Sequence, residues 1–460
     1  MNKKSILLTS IVLVLCALLL SPMPAKAQAP DTEVFIVDTF QDLVDDMPNG
    51  ICSAGSFSGG PCSLRAAVSE AHQVMVRNQN LHIQLPYGTY VLTQNDPSLV
   101  EDAYYGDLDF KDLDGFSGNE LTVTIEGMGI EPSVIDANGI DRVLEIGRDY
   151  NIILKNLVIT GGKVVANVNE QGKGGGIFSM NSKSLELDKV RVTDNEIICN
   201  ECTSTEGGGI FFWGKLTIND SEIDHNTARY AAAISAWSNV YPVLIRESAI
   251  HSNSLEMGRV IVGTGMLLNL VNSTVEGEVF WTYGDVWIQN STLYTFDDTF
   301  YGRGNIRIVS PDTAVELKIK NSILITQRKE NPSFTRGPNC FFSDPDTVVK
   351  TSLGGNIFSD ETCPFNDSLG DIRVGSPLDA RLGPLQNNGG RTPTRALLTG
   401  SPAIDKRFGY CTTLLGTPTS YDYFMLFTDQ RRVLRNDLKC DSGAFEYWPP
   451  AFTFLPMTLR

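Results

Sequence analysis

Leu216-Thr-Ile-Asn-Asp-Ser-Glu-Ile223 is one copy of the pattern that decides the fold of this chain. Two apolar residues alternate with variable ones, and a polar, a small and a variable residue precede a third apolar residue. The alternation predicts a short strand with one buried face, and the change of phase predicts a corner followed by another strand. Such a unit, repeated 18 to 33 residues apart, predicts a β-solenoid. Six other copies are Ile152–Ile159, Leu185–Val192, Val243–Ile250, Leu268–Val275, Val286–Leu293 and Leu317–Leu324.

Small-residue triplets precede three of these copies, and each triplet introduces a further predicted strand. The triplets are Gly174–Gly176, Gly207–Gly209 and Ala231–Ala233. Residues with little or no side chain allow two backbones to approach closely. We therefore expect successive coils of the solenoid to pack closely at these positions.

An asparagine recurs shortly after three copies of the pattern, at Asn195, Asn226 and Asn253. Asparagine tolerates the left-handed backbone conformation of a tight corner, and stacked amides can form hydrogen bonds between coils. The sequence thus predicts a corner at which these asparagines are left-handed and form an amide ladder.

Residues 1–27 are predicted to be a signal peptide. Lys3 and Lys4 precede the apolar run Ile6–Leu20, and the small residues Ala25 and Ala27 suit cleavage after Ala27. The run of 15 residues is shorter than the roughly 20 that a membrane-spanning helix requires. This length disfavours the alternative, an uncleaved membrane anchor. No later apolar run is long enough to cross a membrane, so we expect no transmembrane segment after cleavage.

Charge and cysteine content agree with export. The formal net charge of −17 would repel phosphates, so nucleic acid is excluded as a partner. Local disulfides are expected in an oxidising compartment, although Cys199 and Cys202 leave zinc binding open as an alternative. The expected pairs are Cys52 with Cys62, Cys199 with Cys202, Cys340 with Cys363, and Cys411 with Cys440.

Segments at both ends of the chain resemble modules of bacterial exported proteins. Asp45–Gly50, Cys52 and Cys62–Ala71 resemble the CSLREA-type N-terminal domain, with Ala66 where that family has Glu. The Gly-Gly-Gly-Ile repeats are similar to the pectin-lyase-like β-helix group and to polymorphic outer-membrane-protein repeats. Four further segments resemble the C-terminal module called choice-of-anchor Q: Gly383–Thr394, Gly400–Asp405, Thr428–Arg431 and Cys440–Glu446.

These resemblances imply an all-β chain that forms a right-handed parallel β-helix, secreted or attached to the bacterial cell surface. They do not imply a reaction, because this fold hosts enzymes, adhesins and inert stalks. The expected organisation is a signal peptide at 1–27, a CSLREA-like cap at 28–120, β-helix repeats at 121–330, a choice-of-anchor Q-like module at 331–450 and a short apolar tail at 451–460.

The acidic run Asp107, Asp109, Asp112 and Asp114 is a candidate Ca²⁺ site. Calcium is a hard cation that takes several carboxylate oxygens. The spacing is not that of an EF-hand, and the alternative is a solvated acidic turn. No other cofactor is expected.

Histidines and carboxylates are predicted to share one corner. If equivalent residues stack about 4.8 Å apart, Asp224 lies beside His251 and Asp194 beside His225. Carboxylate–imidazole pairs can act as acid and base, so these four residues are the candidate catalytic residues. The favoured alternative is a hydrogen-bonded surface ladder. Signatures of metalloproteases and serine hydrolases are absent from the sequence.

Aromatic residues are predicted to stack on the outer face. Alternation places Phe178 beside Phe211, and Met180 beside Trp213 and Trp237. Exposed stacked aromatics can form a platform for sugar rings or a protein contact, and the alternative is that a loop covers them. The four aromatic residues are the candidate ligand-binding residues.

The sequence therefore predicts a secreted or cell-surface protein without enzymatic activity. It would bind a polysaccharide or another cell-surface component, or act in adhesion or as a spacer. The alternative is a polysaccharide lyase or a glycoside hydrolase.

Overall fold

The computed structural model describes residues 30–55, 59–95, 105–113, 121–166, 171–199, 201–202, 204–255, 259–297, 304–310, 313–328, 337–408, 410–435 and 439–448. The predicted signal peptide and the tail 451–460 lie outside these residues. The chain divides into two compact units, Met1–Asp31 and Thr32–Arg460. Only Pro30 and Asp31 of the first unit are described, so the following concerns the second.

The chain is mostly β, with 50% of its residues in strands and 5% in helices, and its large sheets are parallel. This architecture is consistent with the all-β parallel solenoid that the repeats predict. Within the described residues, the largest sheet, called the long sheet here, contains 16 strands. The second sheet contains 11 strands and the third sheet contains four.

The long sheet stacks either one long strand or two short strands from each coil. Its strands are Thr32–Ile36, Asn80–Leu85, Leu108–Phe110, Thr122–Gly127, Leu144–Ile146, Asn151–Lys155, Ile177–Asp188, Ile210–Asn219, Ile234–Arg246, Arg259–Val271, Glu278–Thr282, Asp285–Gln289, Ile306–Val309, Val315–Lys320, Cys340–Phe342 and Val348–Ser352.

The second sheet takes up the chain after each corner. Its strands are Thr89–Val91, Ser133–Asp136, Leu157–Thr160, Arg191–Thr193, Glu222–Asp224, Ala249–His251, Thr274–Glu276, Thr292–Asp297, Ile323–Arg328, Ile357–Phe358 and Ile372–Arg373. The third sheet and a two-stranded sheet beside it form the remaining side of some coils. Their strands are Lys163–Ala166, Glu196–Cys199, Thr227–Ala228, Ser254–Leu255, Gln171–Lys173 and Ser204–Glu206.

The parallel sheets run from residue 32 to residue 373, so they begin before and end after the predicted repeat region 121–330. Short helices and antiparallel hairpins complete the unit. The helices are Leu64–Ser69, Ala71–Val76 and the 3₁₀ turns Asp367–Leu369 and Pro377–Ala380. The hairpin strands are Leu382–Gln386 with Thr394–Leu397 and Thr412–Thr417 with Ser420–Met425, and Arg407–Phe408 forms an antiparallel pair with Lys439–Cys440.

The predicted strand pattern is confirmed by the register of the long sheet. Leu185 lies opposite Leu216, and Ile218 lies opposite Ile245, as the alignment of the copies requires. These four side chains are fully buried in one continuous core. Burying an aliphatic side chain of this size contributes about 1.5–3 kcal/mol, so the recurring apolar positions are what hold successive coils in register.

The triplet prediction is also confirmed, because successive coils lie close together there. A Cβ atom at Gly175 would lie 2.4 Å from the carbonyl oxygen of Gly208, and a Cβ at Gly208 would lie 2.6 Å from that of Ala232. The amide of Gly176 meanwhile donates to the carbonyl of Gly208 at 3.1 Å. A larger side chain at Gly175 would therefore push two hydrogen-bonded coils apart.

The asparagine ladder is present, but its backbone conformation differs from the prediction. The side-chain amide of Asn195 donates to Asn226 Oδ1 at 2.9 Å, and that of Asn226 donates to Asn253 Oδ1 at 3.1 Å. The left-handed residue at each corner is the one before the asparagine, for example His225 with φ 53°. The asparagines point inward instead, because their amides satisfy buried backbone carbonyls such as Val192 O.

Replacing Asn226 by Ala should destabilise the solenoid by at least 1–3 kcal/mol, roughly the cost of one unsatisfied buried polar group. The variant would leave the carbonyls of Val192 and Asp224 without this donor, as well as the amide of Asn195 without its acceptor. Chemical denaturation measures the change, and Thr227→Ala at an exposed neighbouring position is the control. Equal stability of the two variants would contradict the ladder's role.

The Cys62-Ser-Leu-Arg segment forms a buried junction between the first helix and the coils. Ser63 caps the helix by accepting a hydrogen bond from the amide of Ala66 at 3.0 Å. Arg65, which is 1% exposed, donates to both carboxylate oxygens of Asp42 and to the carbonyls of Gly106 and Asp107. The segment thus has a packing role in this chain.

Glu70 gives the N-terminal region a characteristic pH dependence. Burial raises the pKa of Glu70 to about 7, although the amides of Asn49 and Gly50 act in the opposite direction. The folded state therefore binds more protons than the unfolded state between about pH 4.5 and 7. The stabilising effect of this group is complete below about pH 4.5 and is lost as the pH rises through 7.

We accordingly expect the melting temperature of the wild type to fall more between pH 5 and 8 than that of Glu70→Gln. Thermal melts across this range measure the difference. Glu361→Gln, at a side chain that is 84% exposed, is the control and should follow the wild type. Parallel pH profiles for wild type and Glu70→Gln would contradict the assignment.

The C-terminal segment packs along the side of the coils. The amide of Leu414 donates to Gln289 Oε1 at 2.7 Å, and Thr274 Oγ1 donates to Gln430 Oε1 at 2.7 Å. Arg435 is buried and donates to Asn272 Oδ1 at 3.1 Å. These contacts cover the corner between the long sheet and the second sheet at Asn272.

All four predicted disulfides are formed, including the one between Cys199 and Cys202, so the zinc alternative for that pair is wrong. Disulfides of this number fit a secreted or extracellular protein. Among the described residues, no helix is sufficiently long and apolar to span a membrane.

Candidate functional site

Two tryptophans and a methionine form an exposed aromatic surface on the long sheet. Met180 lies opposite Trp213, and Trp213 lies opposite Trp237, on three successive strands. The two indole rings are 6.3 Å apart and inclined by 38°. Met180 and Trp213 are 39% and 38% exposed, and Trp237 is half-buried. We call these three residues the tryptophan platform; its outward orientation confirms what alternation predicts.

The orientation of Trp237 is fixed by a chain of hydrogen bonds. Its Nε1 donates to Ser235 Oγ at 3.0 Å, and Ser235 Oγ donates to Glu206 Oε2 at 2.9 Å. A ring that is held in place loses little conformational freedom when a ligand stacks on it. Ser235 and Glu206 were not identified from the sequence, although Ser235 lies two residues before Trp237 and on the same face of its strand.

Phe178 and Phe211 do not extend this surface. Their rings stack 5.7 Å apart, but Phe211 is only 2% exposed, so its predicted exposure is wrong. The ammonium group of Lys173 lies 4.9 Å from the Phe211 ring centroid, and the guanidinium of Arg142 lies 5.0 Å from that of Phe178. Cation–π contacts from neighbouring segments therefore cover this pair.

The predicted carboxylate–imidazole corner exists, but its partners differ in part. Asp224 lies opposite His251 in the register of the second sheet, as predicted. The carboxylate of Asp224 is fully buried and receives two hydrogen bonds from Arg191, at 2.9 and 2.6 Å. Nδ1 of His225 lies 2.5 Å from the same carboxylate, and Asp194 accepts a hydrogen bond from the Thr193 hydroxyl.

His251 is held by a residue that the sequence reasoning missed. Its Nε2 lies 2.9 Å from Glu222 Oε1, and its Nδ1 lies 2.9 Å from Ser252 Oγ. Despite the opposing effect of burial, hydrogen bonds from Arg191 and His225 lower the pKa of Asp224. These contacts make the corner an internally paired ladder, because Asp224 has no unpaired oxygen with which to accept a substrate proton.

The strand register predicted from the repeats could have identified Arg191 and Glu222 as members of this corner. Arg191 lies opposite Glu222, and Glu222 precedes Asp224 by two residues on the same face of its strand. Glu222, Asp224 and His251 could together hold a metal ion, with ligand atoms within 4.8 Å of one another. Arg191 donates hydrogen bonds to both carboxylate oxygens of Asp224, so this carboxylate is already paired, which disfavours a metal.

The predicted Ca²⁺ ligands are only partly brought together. Asp107 and Asp109 lie within 4.8 Å of Glu145, measured between carboxylate oxygens. Asp112 is not in this group and instead forms an ion pair with Arg148 at 2.6 Å, which corrects the prediction for that residue. Asp114 lies outside the described residues.

Glu145 joins the group because it lies opposite Asp109 on the neighbouring strand of the long sheet. The shared pattern of Leu108-Asp-Phe110 and Leu144-Glu-Ile146 is the sequence signal that could have identified it. Burial raises the pKa of Asp107 well above its usual range. Burial and the neighbouring Glu145 raise the pKa of Asp109 to about 7.

Comparisons of the chain with protein-family models, with curated proteins and with solved structures give no match. The resemblances to CSLREA-type and choice-of-anchor Q modules therefore remain predictions.

Proposed function

We propose that this protein is an exported right-handed parallel β-helix that binds a glycan on the tryptophan platform without cleaving it. The observation that carries the proposal is the outward-facing pair of Trp213 and Trp237 on adjacent coils. Sugar rings present flat C–H faces that stack on indole rings, and adjacent strands place the two indoles side by side. A large apolar side chain that stays in water forgoes about 1.5–3 kcal/mol of burial, which a stacked ligand would restore.

The proposed location is outside the cell or on its surface. The predicted signal peptide and the four disulfides both favour an oxidising, extracellular environment. The resemblance to modules of bacterial exported proteins points the same way. An adhesive or spacer role is compatible with this location, because a solenoid presents its platform at a fixed distance from either end.

A second candidate function is polysaccharide cleavage, by a lyase or a glycoside hydrolase. The group of Asp107, Asp109 and Glu145 favours it, because carboxyl groups with raised pKa values can act as general acids. The carboxylate–imidazole corner does not favour it. Its carboxylate and imidazole groups would have to transfer protons, but they are already bound to Arg191 and Glu222.

A glycan array and a polysaccharide-degradation screen on the same purified sample test both functions. The proposal expects saturable binding to at least one glycan and no release of unsaturated or reducing ends. Release of such ends would establish the enzymatic alternative, and Asp109 would then be the first residue to replace. Absence of both binding and cleavage would refute a glycan ligand.

A further inference from the structure

We infer that Asp107, Asp109 and Glu145 form a Ca²⁺ site at the start of the long sheet. The inference is independent of glycan binding. All three residues lie on two adjacent strands or directly beside them, Leu108–Phe110 and Leu144–Ile146. Their carboxylate oxygens lie within 4.8 Å of one another, so that a single ion could contact all three.

A buried oxygen in this group points to a ligand. Asp107 is 4% exposed, and its Oδ2 atom is buried without a hydrogen-bond partner. The guanidinium of Arg142 is near, but its Nη1 atom is 3.6 Å from Asp107 Oδ2, beyond hydrogen-bonding distance. A buried carboxylate oxygen without a donor is costly, and a bound cation would remove that cost.

The charges around this oxygen are unbalanced. Asp141 adds a fourth acidic side chain to the field at Asp107, while Arg142 is the cation that opposes it. Arg142 also forms an ion pair with Glu145, so its charge is shared between two carboxylates. A divalent cation would offset most of the remaining negative charge, which a second monovalent side chain could not.

The backbone that carries Asp107 is held in place before any ion binds. The buried Arg65 guanidinium donates to the carbonyls of Asp107 and Gly106 at 2.7 and 2.9 Å. The amide of Leu108 donates to the carbonyl of Val143 at 3.1 Å, which joins the two strands beside the site. The acidic side chains therefore converge from a rigid support, as a preorganised site requires.

The donor set selects the type of cation. All three side chains offer carboxylate oxygen, the ligand of hard cations, and the group contains neither His nor Cys. Ca²⁺ accepts six to eight oxygens in flexible geometry, whereas Mg²⁺ demands a nearly ideal octahedron. Mg²⁺ usually keeps several waters and is bound by one or two carboxylates, so a group of three carboxylates matches Ca²⁺ better, with water completing the ligand shell.

The test is Ca²⁺ titration of the purified full chain after treatment with EDTA and dialysis. Isothermal titration calorimetry should show one Ca²⁺ bound per chain, and Ca²⁺ should raise the melting temperature. Asp109→Asn and Glu145→Gln should each weaken Ca²⁺ binding about tenfold or more, since even residues that only orient metal ligands change affinity by 10–100-fold. Both variants keep side-chain size and should fold.

Asp112→Asn is the matched control, because Asp112 belongs to the same acidic run but pairs with Arg148. It should bind Ca²⁺ as the wild type does. Absence of Ca²⁺ binding by the wild type, or equal affinity of wild type, Asp109→Asn and Glu145→Gln, would overturn the site. An equal rise of the melting temperature with Mg²⁺ would overturn the selectivity for calcium and indicate general charge screening.

Discussion

Replacing Arg65 by Ala is expected to lower the free energy of unfolding by about 3–5 kcal/mol, the usual cost of removing one partner from a buried ion pair. Asp42, which is only 2% exposed at its side chain, would lose both hydrogen bonds from the guanidinium. The amides of Thr93 and Gln94 also donate to this carboxylate, so it would stay in place, buried and incompletely paired.

Chemical denaturation of Arg65→Ala measures this effect, and Arg148→Ala is the control. Arg148 forms an ion pair with Asp112 at the surface, where such pairs contribute about 0–1 kcal/mol. If both variants lose less than about 1 kcal/mol, Arg65 does not form the buried junction described here. Because Arg65 also holds the carbonyl of Asp107, the same variant should bind Ca²⁺ more weakly than Arg148→Ala.

Replacing both Trp213 and Trp237 by Ala is expected to abolish the binding of any glycan that the array identifies. Each indole offers stacking worth about 1.5–3 kcal/mol, which corresponds to roughly a tenfold to hundredfold loss of affinity per ring. Titration of the identified glycan with wild type and variants measures the loss. The circular dichroism spectrum of the double variant should remain that of a β-protein.

Trp448→Ala is the matched control, because Trp448 is 50% exposed but belongs to the C-terminal segment. It should bind as the wild type does. The single variant Trp213→Ala is included in case the double variant misfolds, because Trp213 is the more exposed ring of the pair and its replacement should disturb the fold less. Unchanged glycan affinity in Trp213→Ala and in the double variant would remove the platform from the proposed function. A misfolded double variant together with unchanged binding by Trp213→Ala would make the pair structural.

The fold class and the direction of side chains could be predicted because they depend on local alternation. Leu216 and Ile218 are buried for the same reason that Trp213 faces outward, namely that successive residues of a strand point to opposite faces. The disulfides could be predicted because their partners are close in sequence, at most 29 residues apart. The position of the asparagine ladder also followed from its repeat, since one repeat places the same amide on every coil.

The prediction of which corner residue is left-handed was wrong, and the repeat pattern alone could not have corrected it. Asn226 and His225 are adjacent, and either could adopt a left-handed conformation in a turn. The buried carbonyls of Val192 and Asp224 decide between them, because only the inward amide of Asn226 satisfies both. The corner residue is then His225, whose side chain is free to point outward.

Contacts between coils and from neighbouring segments were decided by the tertiary structure alone. The alternating pattern places Phe211 on the outer face of its strand, but Lys173 lies over its ring. Glu145 is 36 residues from Asp109, and only the pairing of their strands brings the two carboxylates together. The sequence by itself determined which faces are buried, because alternation is a property of each strand. It did not determine what covers the outer face. That depends on which distant side chains meet, and the unequal lengths of the coils decide this.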